Sequence, residues 1–293
     1  MFLDRFLSYI RHEKNYSVHS IRAYEYNIAN YHAFLADQEF DIQSASHHQV
    51  RAYLSELVEN AVQPRSINRC ISSLKSYYKF LLREGILQDD PMVLIKMLKT
   101  PKNLPQFIQA DKIVNLLSDE NSFSANFEGQ RDRIIIEILF GTGIRRAELL
   151  HISDNDIDFL NRTIRIFGKG GKERIVPISN TLSDLIAKYI ELKKGEDFEN
   201  RTNKLVVTNK GEEAYEMLIY RIVTQQLANI SSTQKKSPHI LRHSIATALL
   251  NNGAQLNDIK ELLGHASLGS TQVYTHNSVE RLKSIYKQAH PKG

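Results

Sequence analysis

Apolar residues recur at helical spacing through roughly the first 85 positions of the chain. Phe2, Phe6, Leu7 and Ile10 mark a first amphipathic helix. Ser17 carries the hydroxyl of an N-cap and opens a second helix that reaches about Ala36. Ser46-His-His-Gln49 spells a capping box ahead of a third, carried by Val50, Tyr53, Leu54 and Leu57. A fourth begins after Pro64, which suits a first turn, and stops at Gly85. Residues 1–86 therefore read as an all-helical domain. Positions 87–108 read as a linker: Asp89-Asp90-Pro91 marks a turn, and Pro101 and Pro105 disfavour helix. Lys96, Lys99 and Lys102 make that connector cationic.

A second domain, 109–293, mixes periods. Helices are predicted at 110–118 and 130–140, with a glycine- and asparagine-containing loop between them. Gly141-Thr-Gly143 breaks the chain before Ile144-Arg-Arg-Ala-Glu148 starts another helix. The one clear β signal follows: Thr163–Phe167 alternates, Gly168-Lys-Gly-Gly-Lys172 turns, and Arg174–Pro177 returns. Leu205-Val-Val207 is a candidate third strand. Further helices are predicted at about 180–194, 213–230, 238–252, 256–263 and 278–289. The fold class is mainly α with a small β-sheet or hairpin, in two domains and without internal repeats.

Composition changes the picture in three ways. No run of ~18 apolar residues exists, so no membrane span is predicted, and the first residues lack the order of a signal peptide. Cys70 is the only cysteine, which excludes an internal disulfide and a cysteine-based zinc site and fits a reducing, cytoplasmic setting. The formal net charge of +5 is compatible with nucleic acid. That charge is patterned. On a wheel of ~100° per residue, Arg65, Arg69, Lys75, Lys79 and Arg83 fall within an arc of roughly 120°. Ser72 and Ser76 share the arc, and no acidic residue lies between Arg65 and Arg83. A solvated face ordinarily mixes signs, whereas a phosphate backbone selects an unbroken cationic stripe.

The candidate chemistry is concentrated between Pro238 and Tyr274. His239 and Arg242 are three apart on one predicted helix and share a face. His265 follows Gly264, a residue suited to a left-handed cap, and Tyr274 lies nine positions on. Singly, each would be an ordinary structural side chain. Arg145, with Glu148 spaced to fix its guanidinium, and Lys169, on a glycine-flanked turn, supply partners for one reaction. No carboxylate cluster of the magnesium-binding kind is present. His239-Ile-Leu-Arg-His243 lacks the glutamate of a zincin helix, so no metal is predicted. The set suits metal-free chemistry on a phosphodiester. Guanidiniums offset developing charge, a phenol attacks, and imidazoles and a lysine move protons.

Those motifs resemble the tyrosine recombinase (phage-integrase) family, and most of all its chromosomal Xer branch. They are Gly-Thr-Gly-Ile-Arg145-Arg-Ala-Glu148-Leu, Gly-Lys169-Gly-Gly-Lys-Glu-Arg, His239-Ile-Leu-Arg242-His, Leu-Gly-His265 and Tyr274. Their order matches the family through residues 110–275, and Phe6-Leu-Ser-Tyr-Ile10…Glu13-Lys-Asn-Tyr-Ser17…Tyr24 resembles its N-terminal module. The resemblance implies a helical SAM-like core-binding domain followed by an α+β catalytic domain. It implies Arg145 and Arg242 as phosphate clamps, and His239 and His265 at the phosphate or the nucleophile's proton. Lys169 becomes the general acid, with Lys172 the alternative, and Tyr274 the nucleophile that forms a 3′-phosphotyrosine. Arg146 departs from the small or apolar residue often found there, and a solvent or DNA-backbone contact is expected of it. Val279, Leu282, Ile285, Tyr286 and Ala289 form a terminal stripe that in recombinases enters a neighbouring subunit. The implied partners are a double-stranded recombination site, a homo- or hetero-tetramer on DNA with or without a second related recombinase, and a DNA translocase of the FtsK type. No cofactor is implied. Xer-like dimer resolution, integration of a mobile element and non-catalytic DNA binding remain as alternative roles.

Overall fold

The computed structural model describes residues 2–101, 107–168, 173–231, 236–264 and 276–292, with only the backbone described for 276–280. The chain forms two compact units, Met1–Asn103 and Leu104–Gly293.

The first unit holds α1 (Phe2–His12), α2 (Val18–Asp37), α3 (His47–Glu59) and α4 (Pro64–Arg83). Its caps are those the sequence predicts. The Ser17 hydroxyl accepts from the Ser20 N–H, and Ser46 and Gln49 close the capping box. Pro64 opens α4, and Gly85 beyond its end takes φ +68°. The apolar side of α4 is buried from Ile67 to Leu81, against α1, α2 and α3. Within that core Tyr31 and Tyr78 join hydroxyls at 2.9 Å, which satisfies two phenols removed from water. The stretch expected to be a linker is not uniform. Met92 and Ile95 are buried in this core, and Asn68 holds the backbone of Leu98 from both its amide oxygen and its amide nitrogen. Ile108, by contrast, belongs to the core of the second unit.

The second unit is built around α6 (Phe127–Thr142), whose residues Ile134 to Thr142 are all buried. A helix apolar on every side is a core helix. It packs on α8 (Asn180–Gly195), α9 (Glu216–Ala228) and α10 (Pro238–Asn251), with α5 (Ala110–Ser118) and α7 (Arg146–His151) beside it. Two expectations change here. α6 starts earlier than 130, because the Asn126 side chain caps it by accepting from the Gly129 N–H. A Cβ at Gly129 would lie 2.2 Å from the Ser124 carbonyl, so the residues that read as loop form a cap and a close approach. The helix also runs through Gly141 and Thr142, and only Gly143 breaks it.

The sheet has three antiparallel strands in the order β1 (Ile157–Asp158), β2 (Thr163–Phe167) and β3 (Glu173–Pro177). The predicted hairpin is β2–β3. The third strand is not Leu205–Val207, which is buried but has only one isolated bridge, Val207 to Glu213, with another, Ser153 to Lys204, just before it. A short buried apolar run has no period to separate strand from buried coil. The unit ends with α11 (Leu256–Leu263) and α12 (His276–Ala289). In this single chain Leu282, Tyr286 and Ala289 of the terminal stripe are buried against the chain's own second unit, and Ile285 is half-buried.

Candidate active site

The site grows out of two helix ends. Gly143 closes α6 at φ +63°, its N–H bonding the Leu139 carbonyl at 3.1 Å. A Cβ there would stand 2.4 Å from Leu263 Cδ2, so both the backbone and the space require glycine. Gly264 closes α11 in the same way, at φ +65°. Left-handed caps turn the last carbonyls of a helix outward, where the negative end of its dipole favours cations. Arginines take those carbonyls. Arg242, one turn into α10, donates to Gly143 O at 2.6 Å and to Leu263 O at 2.7 Å. Arg145, immediately before α7, reaches Gly264 O at 3.4 Å.

Glu148 is the acid that organises this corner. Its side chain is 6% exposed, and each oxygen accepts twice. Oε1 accepts from Arg145 Nη1 and Arg174 Nη1, both at 2.9 Å. Oε2 accepts from the Arg145 backbone N–H at 2.7 Å and from Arg174 Nη2 at 2.9 Å. Burial by itself would raise this carboxyl, but the hydrogen bonds and charge of Arg174, with those of Arg145, hold it down at about 2. Burial lowers the Arg242 guanidinium to about 10, and the charges of Arg145 and Arg174 act in the same direction while Glu148 opposes them. Arg242 thus remains a cation at neutral pH. Three guanidiniums against one carboxylate leave a formal surplus of two positive charges, the complement of a phosphate.

His239 lies on the outer side of the same helix turn. Its imidazole is lowered by partial burial, then by the positive charges of Arg146, Arg242 and Arg145. That shift favours the neutral ring, the form that can accept a proton. The described structure thus brings together Arg145, Glu148, His239 and Arg242. Lys169, its alternative Lys172, His265 and Tyr274 lie outside the described residues. The elements that flank them are described: β2 ends at Phe167, β3 resumes at Glu173, and Gly264 directly precedes His265.

Arg174 is the residue to which sequence reasoning gave no role. Its signal was an arginine in the inward register of a strand, paired with Ile166 and two positions from buried Val176. Arg146, of which a solvent or DNA-backbone contact is expected, is ion-paired to Glu216 at the start of α9 and keeps part of its side chain exposed.

The cationic stripe of α4 is exposed at Arg65, Arg69, Lys75, Lys79 and Arg83. Arg83 is the exception to its free charge, since it pairs with Glu84 at 3.2 Å, approaches Glu13 at 3.9 Å and covers the Tyr9 ring at 4.1 Å. The two stripe serines turn inward, Ser72 donating to the Asn68 carbonyl and Ser76 to that of Ser72. Among the described residues no group of three histidine, cysteine or acidic side chains is spaced to hold a metal. No described helix is long and apolar enough to cross a membrane.

Two family profiles cover the chain: "Phage integrase, N-terminal SAM-like domain" matches residues 3–85, and "Phage integrase family" matches residues 106–281. The chain belongs to the phage integrase family, the tyrosine recombinases. As such it is an enzyme of the DNA breaking and rejoining class. Tyrosine recombinase XerC of Listeria innocua serovar 6a is 38% identical over 296 residues, covering 98% of this chain and 97% of the relative. Tyrosine recombinase XerD of Staphylococcus saprophyticus subsp. saprophyticus is 34% identical, covering 99% and 98%. Among solved structures, the XerH site-specific recombinase bound to its difH substrate superposes with a TM-score of 0.69 at 22% identity, covering 96% of this chain and 83% of that one. At that identity the likeness is one of fold. Both XerC and XerD relatives align over almost the whole recombinase, so its two-domain plan is that of the Xer branch.

Proposed function

We propose that this recombinase is a site-specific, Xer-type enzyme that resolves chromosome or plasmid dimers through a covalent 3′-phosphotyrosine. The observation that carries the reading is the pair of carbonyl- and carboxylate-held guanidiniums, Arg145 and Arg242, with His239 on the same helix turn as Arg242. Arg145 and Arg242 grip the non-bridging oxygens of the scissile phosphate and offset the charge that develops there. The Tyr274 oxygen attacks phosphorus in line and a new O–P bond forms. The bond from phosphorus to the 5′ oxygen breaks, and Lys169, or Lys172 three positions on, protonates the departing oxygen. His239 and His265 take the phenol's proton or hydrogen-bond the phosphate. One phosphodiester replaces another, so the 5′-hydroxyl of a partner strand reverses the step without a cofactor.

In this reading residues 1–86 form the core-binding domain, 87–108 the connector and 109–293 the catalytic domain. The enzyme works in the cytoplasm as a tetramer on its DNA site, alone or with a related recombinase, and a DNA translocase of the FtsK type activates exchange. The XerC and XerD names of its relatives favour dimer resolution over integration of a mobile element.

The test is a covalent trap. Incubated without added metal on a nicked duplex carrying a dimer-resolution site, the protein should form a DNA adduct that Tyr274→Phe abolishes. An adduct that persists in that variant would reassign the nucleophile. An adduct formed only on DNA flanking the protein's own gene would favour the integrase role.

A further inference from the structure

We infer that Arg174 is a positioning residue of the strand-cleavage reaction: it acts through Glu148 to aim the Arg145 guanidinium at the scissile phosphate. The inference rests on the reaction proposed above. Arg174 itself is 8% exposed in its side chain and faces the core. Both its terminal nitrogens are committed to Glu148 at 2.9 Å, one to each oxygen. Those same oxygens hold Arg145, one by its side chain and the other by its backbone N–H. A carboxylate that accepts only from Arg145 can rotate about its terminal torsion. One gripped from behind by a planar two-pronged donor cannot, so the direction of Arg145 is set from β3.

The packing around Arg174 repeats this arrangement. A Cβ on Gly264 would lie 2.8 Å from Arg174 Nε and 2.9 Å from its Cζ, so the bare backbone of the α11 cap rests on the guanidinium. Gly264 in turn offers its carbonyl to Arg145. Arg174 therefore touches three segments that carry the proposed chemistry. It stands on the strand that follows Lys172 in the chain, it grips the acid that orients Arg145, and it supports the residue before His265. Stability alone does not select such a residue. A buried ion pair is often matched or exceeded by apolar residues of similar volume, and Arg174 stands opposite Ile166 in a strand pair that is otherwise apolar on this face.

The test separates binding from chemistry on the nicked substrate. Arg174→Met should bind the duplex within about twofold of wild type, while the single-turnover rate of adduct formation falls by about 100-fold, the scale of a displaced reacting group. Arg174→Lys keeps the charge but loses the fork, and should recover only part of that rate. In an Arg145→Ala background the step from Arg174 to Met should change the residual rate by less than about threefold, because the group it aims is gone. Thermal unfolding of each variant checks the fold, and if Arg174→Met does not fold, Arg174→Lys carries the same comparison. Wild-type rates in both Arg174 variants would overturn the inference and leave the proposed reaction standing, as would fully multiplicative losses with Arg145→Ala. A wild-type protein that forms no Tyr274-dependent adduct would overturn both.

Discussion

At the scale of single residues, the corner around Glu148 is governed by how a buried charge is kept. Glu148 satisfies all its acceptor directions with arginine and backbone donors, and the result is a carboxyl held at about 2 against an ordinary 4.5. The folded value lies below the unfolded one. Its contribution to stability is therefore complete above about pH 4.5 and is lost as pH falls through about 2. The linkage is worth on the order of 3 kcal/mol. Glu148→Gln should unfold at lower temperature than wild type at neutral pH, and the gap should close as pH falls from about 4.5 toward 2. A gap that stays constant across that range would mean that the lost packing, and not the carboxylate charge, separates the two proteins. The same residues show what was legible. Arg145, Glu148 and Arg242 stand in motifs, so the sequence names them. Arg174 stands in the same run of letters, yet its partner is 26 positions away and its inward direction belongs to the strand register.

At the scale of elements, the proposed contact with DNA rests in the first unit on the cationic face of α4. The stripe on α4 is a periodic property, so a wheel finds it, and the structure keeps Arg65, Arg69, Lys75 and Lys79 exposed and without an ion pair among the described residues. Arg83 is different. Its acids come from Glu84 just past the helix and from Glu13 in the loop after α1, and a wheel drawn from Arg65 to Arg83 does not include them. The expectation for DNA binding divides accordingly. Lys75→Ala or Lys79→Ala should weaken binding to every duplex alike and reduce the salt slope by about one unit. Arg83→Ala should change the slope less, because its charge is already partly neutralised. Salt titrations of binding on a specific and an unrelated duplex read both effects, and equal slopes for all the variants and wild type would return α4 to an ordinary solvated face.

At the scale of the whole molecule, the chain folds its own tail away. Tyr286 is buried and stacks on His290 at 4.2 Å, His290 meets Phe140 at 6.0 Å, and Lys292 bonds buried Glu137 at 2.6 and 2.8 Å. Burial pushes the His290 imidazole down to about 4, and the Lys292 charge lowers it further, while the carbonyls of Phe140 and Gly141 act in the opposite sense. Nδ1 accepts from the Lys292 N–H at 3.0 Å, a bond only the neutral ring can make. A histidine lowered on folding is protonated first in the unfolded chain. Stability should therefore decline as pH falls from about 6.5 to about 4. Thermal unfolding of wild type should show that decline, and His290→Phe should flatten it. An unchanged slope in the variant would place the acid sensitivity elsewhere.

The sequence by itself determined the two-domain plan, the serine caps of α2 and α3, the β2–β3 hairpin and the motifs, because capping, period and motif spacing are local and act within a few residues. It missed the short strand Ile157–Asp158, the early start of α6 and the ion pair between Arg146 and Glu216. The strand and the helix start are local but carry weak signals, a two-residue pairing and an asparagine cap inside a run that reads as loop, whereas the partner of Arg146 is 70 positions away. Tertiary structure alone decided that the carbonyls at the ends of α6 and α11 face Arg242 of α10 and Arg145, the residue before α7. It also decided that a β3 arginine stands behind Glu148, and that the tail's apolar stripe is covered by its own unit. The physical reason is the same throughout. A buried charge needs partners with fixed direction, and only the packed chain sets direction between segments far apart in sequence.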